Sequence, residues 1–325
     1  MISRTAALLA VDGGQPVRKA LLPYGRQTVL EEDVRAVVKV LRSPWLTTGP
    51  VGGEFELAFA DREGARHAVA FSSGTAALHA AVFAAGLGAG DEAVVTPLTF
   101  CATANCLLYQ GARPVFADVN SDTLNLDPAE AEKRVTSKTK ALFPVDYAGH
   151  PADLAAFRSL ANRRGLVVIE DACHALGAEY KGRKVGGFSH MTVFSFHPVK
   201  HITTGEGGMV TTGNDRFAER LRAFRNHGVF SDARRRIEEG RWFYEMTELG
   251  YNYRLSDRRS RKRTPPRPPS SGGCPVHGWR PGSPRRQDLF ERCSFSDNLL
   301  EGASPAGTAP PRPADTPSGR WPSGR

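Results

Sequence analysis

The sequence predicts an α/β fold with a mainly parallel sheet, and three observations support this prediction. Up to Asp257, short apolar runs alternate with longer helix-like segments, as expected of strands joined by helices. The 325 residues are 40% hydrophobic and 24% charged, which suits a folded core. After Asp257 the alternation stops. We therefore expect one α/β region followed by a segment of different character.

The candidate strands and helices follow one another along the first 257 residues. Seven apolar runs that are bounded by turn-forming residues are the strand candidates, at 67–71, 93–96, 115–119, 141–145, 166–169, 191–196 and 208–212. Four longer segments between them are the helix candidates, at 73–86, 103–109, 152–163 and 215–226. Ligand sites in such sheets gather at the carboxyl ends of the strands, so we look for chemistry there.

The basic character of the chain belongs to its last 68 residues. Residues 258–325 hold 13 basic and 5 acidic residues, a net +8, so the first 257 residues carry only +1 of the total +9. This segment also holds 13 of the 23 prolines. We expect it to be disordered, because it has too little apolar surface to offset chain entropy. Two origins stay open: out-of-frame translation of a GC-rich gene, which the abrupt change favours, and a basic tail that attracts polyanions.

Composition also argues against several classes of protein. Five cysteines without paired spacing do not suit a disulfide scaffold or a CxxC zinc site, and they fit a reducing, cytoplasmic location. No apolar run approaches the ~20 residues that span a bilayer, and the N-terminus lacks a clear signal peptide. The basic segment has scattered aromatic residues, so we expect no specific nucleic-acid site.

The first segment with chemical meaning is FSSGTAAL at residues 71–78. A strand ends, a turn of small residues follows, and a helix begins. Free N–H groups at a helix N-terminus bind phosphate, with Gly74 allowing close approach and Thr75 adding a hydroxyl. The alternative is an ordinary capped turn between strand and helix, which this segment alone favours.

Two further segments follow strand ends. The segment VIEDACHA at 168–175 places an acidic pair after an apolar strand, where a carboxylate can hold a cationic nitrogen or a metal. Lys200 lies in FSFHPVKH at 194–201, just before the glycine-rich TTGEGG at 203–208. A lysine held there with a lowered pKa can form a Schiff base. Solvated caps and an exposed loop lysine are the alternatives, and His190, His197 and His201 lack the spacing of a metal site.

The three segments together indicate pyridoxal phosphate (PLP). That cofactor needs a phosphate cup, an aspartate for its pyridine nitrogen and a lysine for its aldehyde, in this order along the chain. Asp171 keeps the ring nitrogen protonated, and Lys200 moves the substrate proton.

The region 11–257 resembles the fold-type I, PLP-dependent sugar-nucleotide aminotransferases of the DegT/StrS type. The resemblance rests on the three segments above and on short motifs along the same region: GGQPVR at 13–18, LTTGP at 46–50, PLTF at 97–100 and YNYR at 251–254. PYGRQ at 23–27 and WFYE at 242–245 resemble the branch that serves pseudaminic acid biosynthesis.

The resemblance implies a role for each candidate site residue. Lys200 matches the Schiff-base lysine and Asp171 the partner of the pyridine nitrogen. The remaining matches are Gly74, Thr75 and Ser195 for the phosphate, Phe100 for stacking on the ring, His174 beside Asp171, and Asn252 for a neighbouring subunit's cofactor phosphate. Without the resemblance, Phe100 would be interpreted as a core residue. Lys200 also implies amino transfer, since relatives with His at this position are dehydratases.

The resemblance further implies a homodimer that moves an amino group from glutamate to C4 of a 4-keto-6-deoxy sugar nucleotide. It divides the chain into an N-terminal extension (1–22), a PLP-binding large domain (23–257) and the Arg/Pro-rich tail (258–325). Relatives continue after YNYR with a small C-terminal domain, which we expect to be absent here. A non-catalytic remnant therefore stays an alternative to an active enzyme.

Overall fold

A seven-stranded mixed sheet organises the protein. The structure is a computed structural model that describes residues 9–23, 25–229, 240 and 244–260, all within one compact unit. The strands of the sheet are β1 (His67–Phe71), β2 (Glu92–Val95), β3 (Arg113–Phe116), β4 (Thr139–Phe143), β5 (Val167–Asp171), β8 (Met191–Ser195) and β9 (Gly208–Thr212). A separate hairpin is formed by β6 (Glu179–Tyr180) and β7 (Arg183–Lys184).

The strand order is β1-β9-β8-β5-β4-β2-β3. Strand β9 pairs antiparallel with both β1 and β8, whereas the other pairs are parallel. Six strands therefore share one direction, and their carboxyl ends meet at one edge of the sheet. This confirms the predicted α/β fold with a mainly parallel sheet, and all seven strand predictions correspond to strands of the sheet.

Eight α-helices connect and flank the strands in the described residues. They are α1 (Glu31–Leu41), α2 (Pro50–Glu63), α3 (Gly74–Ala84), α4 (Ala102–Tyr109), α5 (Pro128–Arg134), α6 (Leu154–Arg164), α7 (Asp215–Phe224) and α8 (Asp257–Ser260). The predicted helices correspond to α3, α4, α6 and α7. None of the eight is long and apolar enough to cross a membrane.

The core lies on both faces of the sheet. On one face, α3 is buried along nearly its whole length, because its sequence GTAALHAAVFA is rich in alanine and lets the helix approach the strands closely. On the other face, Phe55 and Phe59 of α2 make edge-to-face contacts with Phe196, and Phe59 also contacts Phe194. A third cluster packs α6 against β2, β4 and β5.

The two ends of the described region can be compared with the predicted domain boundaries. Of the N-terminal extension 1–22, residues 9–22 are described and are largely exposed, with one short 3₁₀ turn at Ala10–Asp12. At the other end, α8 continues three residues past Asp257. Residues 261–325, to which most of the predicted disordered tail belongs, lie outside the described residues.

Candidate active site

The three chemically informative segments meet at the carboxyl edge of the sheet. Strands β1, β5 and β8 run in the same direction and end at Phe71, Asp171 and Ser195. Segments some 100 residues apart in sequence are therefore neighbours in space. This edge is where α/β sheets bind ligands.

The phosphate cup predicted at residues 71–78 is a close junction of three backbones. The Ser73 side chain caps α3 by accepting a hydrogen bond from Ala76 N at 3.1 Å. A Cβ on Gly74 would lie 3.0 Å from Ser195 Cβ and 3.1 Å from Ser195 Oγ. A Cβ on Gly208 would lie 2.4 Å from Ser73 O. Glycine at these two positions thus lets the start of α3 sit directly beside the end of β8, with the half-buried Thr75 in its first turn.

Asp171 is buried at the end of β5 with its carboxylate held from two sides. Its Oδ2 accepts a hydrogen bond from the Thr103 hydroxyl at 2.7 Å, and its Oδ1 accepts one from Cys173 N at 3.2 Å. Thr103 is itself bonded to Thr99 Oγ1 at 2.7 Å. Since no basic side chain in the described region forms an ion pair with Asp171, the carboxylate is available to a cationic group of a ligand.

Lys200 lies in a loop that is pinned at both ends. The N–H of the buried Phe196 donates a hydrogen bond to Gly207 O at 2.9 Å. The carbonyl of Phe196 accepts hydrogen bonds from Thr203 Oγ1 and Thr204 N. Lys200 N donates to His197 O at 2.9 Å, which forms a tight turn around the lysine. The half-buried Lys200 is therefore carried on a compact, hydrogen-bonded loop immediately after β8.

The histidines near Lys200 have separate environments. The pKa of His174 is lowered, first by partial loss of hydration and then by the positive charge of Lys200. The same two causes lower the pKa of His201. His190 instead precedes β8, accepts a hydrogen bond from Val168 N at 2.9 Å, and has a pKa lowered to about 4 by burial. In the described residues, the side chains of His, Cys, Asp and Glu form no group of three or more that could hold a metal ion.

Phe100 and Asn252 are both exposed. Phe100 precedes α4 with 72% of its surface accessible, so the alternative interpretation as a core residue is wrong. Asn252 lies between Tyr251 and Tyr253, whose rings stack at 5.0 Å. This segment borders the cup, because Tyr253 O accepts a hydrogen bond from Ser72 N at 2.8 Å.

Sequence reasoning missed the partners that surround Asp171. The sequence predicts only that Thr103 lies in a helix, whereas its hydroxyl contacts Thr99, which lies in the turn before that helix, and Asp171. Asp146 was not singled out, yet its N–H donates to Asp171 O at 3.0 Å. The only sequence signal for Asp146 is that it follows β4, the strand next to β5.

The arrangement fits PLP. The helix N-terminus beside Gly74 and Ser195 would hold the phosphate, and glycine at 74 and 208 allows the start of α3 to pack against Ser195 and the start of β9. The buried Asp171 would face the pyridine nitrogen, and Lys200 would reach the aldehyde. The exposed Phe100 ring could cover one face of the cofactor.

Comparison with protein families gives a match over residues 27–260. The matching profile is that of the DegT/DnrJ/EryC1/StrS aminotransferase family. The match spans every strand described above and includes Asp171, Lys200 and Asn252.

Individual relatives are similar over about three quarters of the chain. The spore coat polysaccharide biosynthesis protein SpsC of Bacillus subtilis is 43% identical over 241 residues, which are 74% of this chain and 62% of SpsC. Among solved structures, Helicobacter pylori PseC, an aminotransferase of pseudaminic acid biosynthesis, matches with a TM-score of 0.67 and 36% identity, covering 73% of this chain and 62% of PseC.

A third relative is a Streptococcus pneumoniae protein assigned as a sugar aminotransferase and solved in its PLP form. It matches with a TM-score of 0.68 and 30% identity, covering 74% of this chain and 64% of its own. The chain thus spans less than two thirds of the length of these relatives.

Proposed function

This chain belongs to the DegT/DnrJ/EryC1/StrS aminotransferase family, and from that premise we propose that it is a PLP-dependent aminotransferase of nucleotide sugars. The observation that carries the proposal is the convergence at one sheet edge. There the buried Asp171 carboxylate, the cup at the start of α3 and the Lys200 loop follow the ends of strands that run in the same direction. Family membership alone would not locate the chemistry in this chain.

The cup binds the cofactor phosphate in this proposal. Backbone N–H groups in the first turn of α3 have no partner within the helix, and the helix dipole favours an anion there. The hydroxyls of Thr75 and Ser195 add donors on two sides. A Cβ at Gly74 would collide with Ser195 and one at Gly208 with Ser73 O, so both glycines keep the cup compact.

Asp171 holds a proton at the pyridine nitrogen. When bound, the cofactor carries the amino group between donor and acceptor, and its protonated ring withdraws electrons from the reacting carbon. The Thr103 hydroxyl and the Cys173 N–H each occupy one carboxylate oxygen of Asp171 and so fix the carboxylate plane. The remaining lone pairs of this buried carboxylate are free to accept from the ring.

Lys200 binds the cofactor covalently and transfers the proton. Its Nζ would take a proton from the donor carbon and return one at the end of the reaction. The hydrogen-bonded loop holds the amine close to the site. Phe100 would cover the ring, and His174 would contact the cofactor from the side of Asp171.

We further propose glutamate as donor and a UDP-linked 4-keto-6-deoxy N-acetylhexosamine as acceptor. The product would be UDP-4-amino-4,6-dideoxy-N-acetyl-β-L-altrosamine, as in pseudaminic acid biosynthesis. The motifs PYGRQ at 23–27 and WFYE at 242–245 support this branch, as does the similarity to PseC. A cytoplasmic homodimer, in which Asn252 reaches the neighbouring cofactor phosphate, completes the proposal.

Two alternatives differ in what they predict. Another nucleotide-sugar aminotransferase of the same family would use a different keto sugar with the same cofactor chemistry. A non-catalytic remnant would retain residues 23–257 as a large domain without turnover. Support for an active enzyme comes from the intact set of Asp171, Lys200 and cup residues.

The test follows both halves of the reaction. The full chain is loaded with PLP, and its visible absorbance is recorded before and after addition of glutamate. The UDP-linked keto sugar is then added, and the product is identified by mass and by nuclear magnetic resonance. A dTDP-linked 4-keto-6-deoxyglucose serves as the matched acceptor. Conversion of that sugar alone would favour the alternative acceptor, and absence of any spectral change with glutamate would favour the remnant.

A further inference from the structure

Two carboxyl groups next to Asp171 form no ion pair with the basic side chains that the structure describes. Asp146 and Glu170 are both fully buried. Asp146 Oδ1 accepts a hydrogen bond from Ala152 N at 3.0 Å, and Glu170 Oε2 accepts one from Thr192 Oγ1 at 2.8 Å. Their other oxygens, Asp146 Oδ2 and Glu170 Oε1, are buried and accept no hydrogen bond from the described residues, and the buried Ser189 hydroxyl beside Glu170 also has no partner among them. No basic side chain of the described region forms an ion pair with either carboxyl group.

Val145 pairs with Asp171 in parallel, which places Asp146 and Glu170 on either side of this pair with their side chains on the same face of the sheet. The charge of Glu170 acts on Asp146 at this separation. Two ionised carboxylates in such a buried position repel, and each leaves an acceptor unsatisfied. One proton between them removes the repulsion and supplies the missing donor. Burial raises the pKa of Asp146 well above its ordinary range, with the charge of Glu170 as the next cause, and burial also raises the pKa of Glu170.

We propose that Asp146 and Glu170 share one proton and act as a positioning pair for Asp171. The pair carries one negative charge, and its hydrogen bond links the segment after β4 to β5. That segment also holds Asp171 directly, since Asp146 N donates to Asp171 O at 3.0 Å and Asp171 N donates to Pro144 O at 2.9 Å. Of the other titratable groups nearby, the charge of Asp171 acts on both Asp146 and Glu170, and the charge of Asp146 acts on Cys173.

The role toward a cofactor rests on the proposed function. Three ionised carboxylates at one strand end would repel one another, and a shared proton leaves Asp171 as the ionised group that faces the ligand. The shared proton itself is a property of the unloaded protein. It can therefore be tested without cofactor or turnover.

The decisive experiment counts charge in unloaded full-length variants by native capillary electrophoresis at neutral pH. Asp146→Asn or Glu170→Gln removes the proton together with one carboxyl group, so each single variant should keep the wild-type net charge. The double variant should gain one positive unit. Asp122→Asn, at an exposed turn position, is the matched control and should also gain one unit. A gain of one unit in either single variant, or no gain in the double variant, would overturn the proposal.

Infrared spectroscopy provides the second measurement and needs no variant of Asp146 or Glu170. The wild-type protein should show the carbonyl band of a protonated carboxyl group at neutral pH, shifted by ¹³C labelling of aspartate or glutamate. Burial also raises the pKa of Glu63, so its contribution to the band is removed by subtracting the spectrum of Glu63→Gln. If no band remains after that subtraction, the shared proton is excluded.

The loaded protein separates this inference from the proposed function. In the double variant, the loss of one nearby negative charge should lower the pH at which the bound cofactor's spectrum titrates. The single variants should leave that pH unchanged, which a purely structural role would not predict. Failure of PLP to bind would refute the proposed function and leave the charge measurement intact, whereas equal titration in the wild type and the double variant would exclude the positioning role.

Discussion

At the residue scale, the site depends on how a few side chains are held. Asp171 is a carboxylate with two fixed donors, and Lys200 is an amine on a pinned loop. The sequence predicts both residue types, because PLP needs a carboxylate at its ring nitrogen and an amine at its aldehyde. The Thr103 hydroxyl at Asp171 was not predictable, because the contact joins a helix to a strand 68 residues away.

Lys200→Ala should abolish the covalent link to PLP and reduce turnover by about 10²–10⁴-fold or more, because the proton carrier is lost. Borohydride reduction of the loaded wild type followed by peptide mapping should place the pyridoxyl label on Lys200. Lys140→Ala, at an exposed position, is the control and should behave like the wild type. A label on another lysine would show that the assignment is wrong.

Asp171→Asn should retain part of the PLP binding and lose the glutamate half-reaction by orders of magnitude, because the amide cannot hold the ring nitrogen protonated. Stopped-flow absorbance with glutamate measures this step alone. Asp122→Asn again serves as the comparison. A rate close to that of the wild type would contradict the role.

His79 gives a prediction for stability and pH. It is buried at 3% exposure against Phe224 and Tyr251, and burial lowers its pKa to about 4. The unfolded chain takes up the proton at the ordinary value near 6.5, so acidification from about 6.5 to about 4 favours unfolding and has no further effect below that range. From about pH 7.5 to about pH 5, His79 should account for about 2 kcal/mol of lost unfolding free energy.

Urea unfolding of the wild type and of His79→Gln at the two pH values isolates this contribution, because the other titrating groups are common to both proteins. The variant should lose less stability on acidification. An equal loss in both would show that His79 does not titrate as proposed.

At the scale of elements, local patterning located the sheet and half of the helices. The strands and the helices α3, α4, α6 and α7 are predicted by the apolar patterns of their own sequences. Helix α2 does not, because it contains Gly52 and Gly53 and its N-terminal N–H groups are capped from far away. Asp257 accepts hydrogen bonds from Gly49 N at 2.7 Å and from Gly52 N at 2.9 Å. The hairpin β6–β7 has two residues per strand, too few for a periodic signal.

The junction of β9 with the cup yields a prediction about Gly208. A methyl group there would lie 2.4 Å from Ser73 O, so Gly208→Ala should displace the turn before α3. We expect a loss of about 1–3 kcal/mol in stability and weaker PLP binding. Gly213→Ala is the matched control, because its added Cβ meets nothing within 4 Å. Thermal unfolding and cofactor titration of both variants provide the test, and equal behaviour of the two would contradict the close packing.

At the scale of the whole molecule, contacts between distant parts of the sequence complete the fold. Asp257 caps α2, and Tyr253 O accepts a hydrogen bond from Ser72 N at the cup. Arg225 contacts both Glu56 and Ala70 O. The segment 252–257 therefore joins α2 and the cup. The hydrophobic pattern of the sequence does not predict such contacts, because nothing in the sequence around one partner identifies the other.

Asp257→Ala should destabilise the protein by about 1–2 kcal/mol, because two N–H groups at the start of α2 lose their acceptor. Asp257→Asn, which keeps an oxygen acceptor, should lose less. Urea unfolding compares the two variants. If both lose the same amount, the carboxylate charge matters more than the cap.

The placement of β9 also has a consequence during synthesis. Strand β1 lies at the sheet edge and, among the described strands, pairs with β9 alone. A ribosome adding roughly 5–20 residues per second needs on the order of ten to thirty seconds to travel from one to the other. Throughout that interval the nascent β1 exposes an apolar HAVAF edge without its pairing partner. Translation speed between these strands therefore sets how long the emerging chain is open to chaperones or to aggregation.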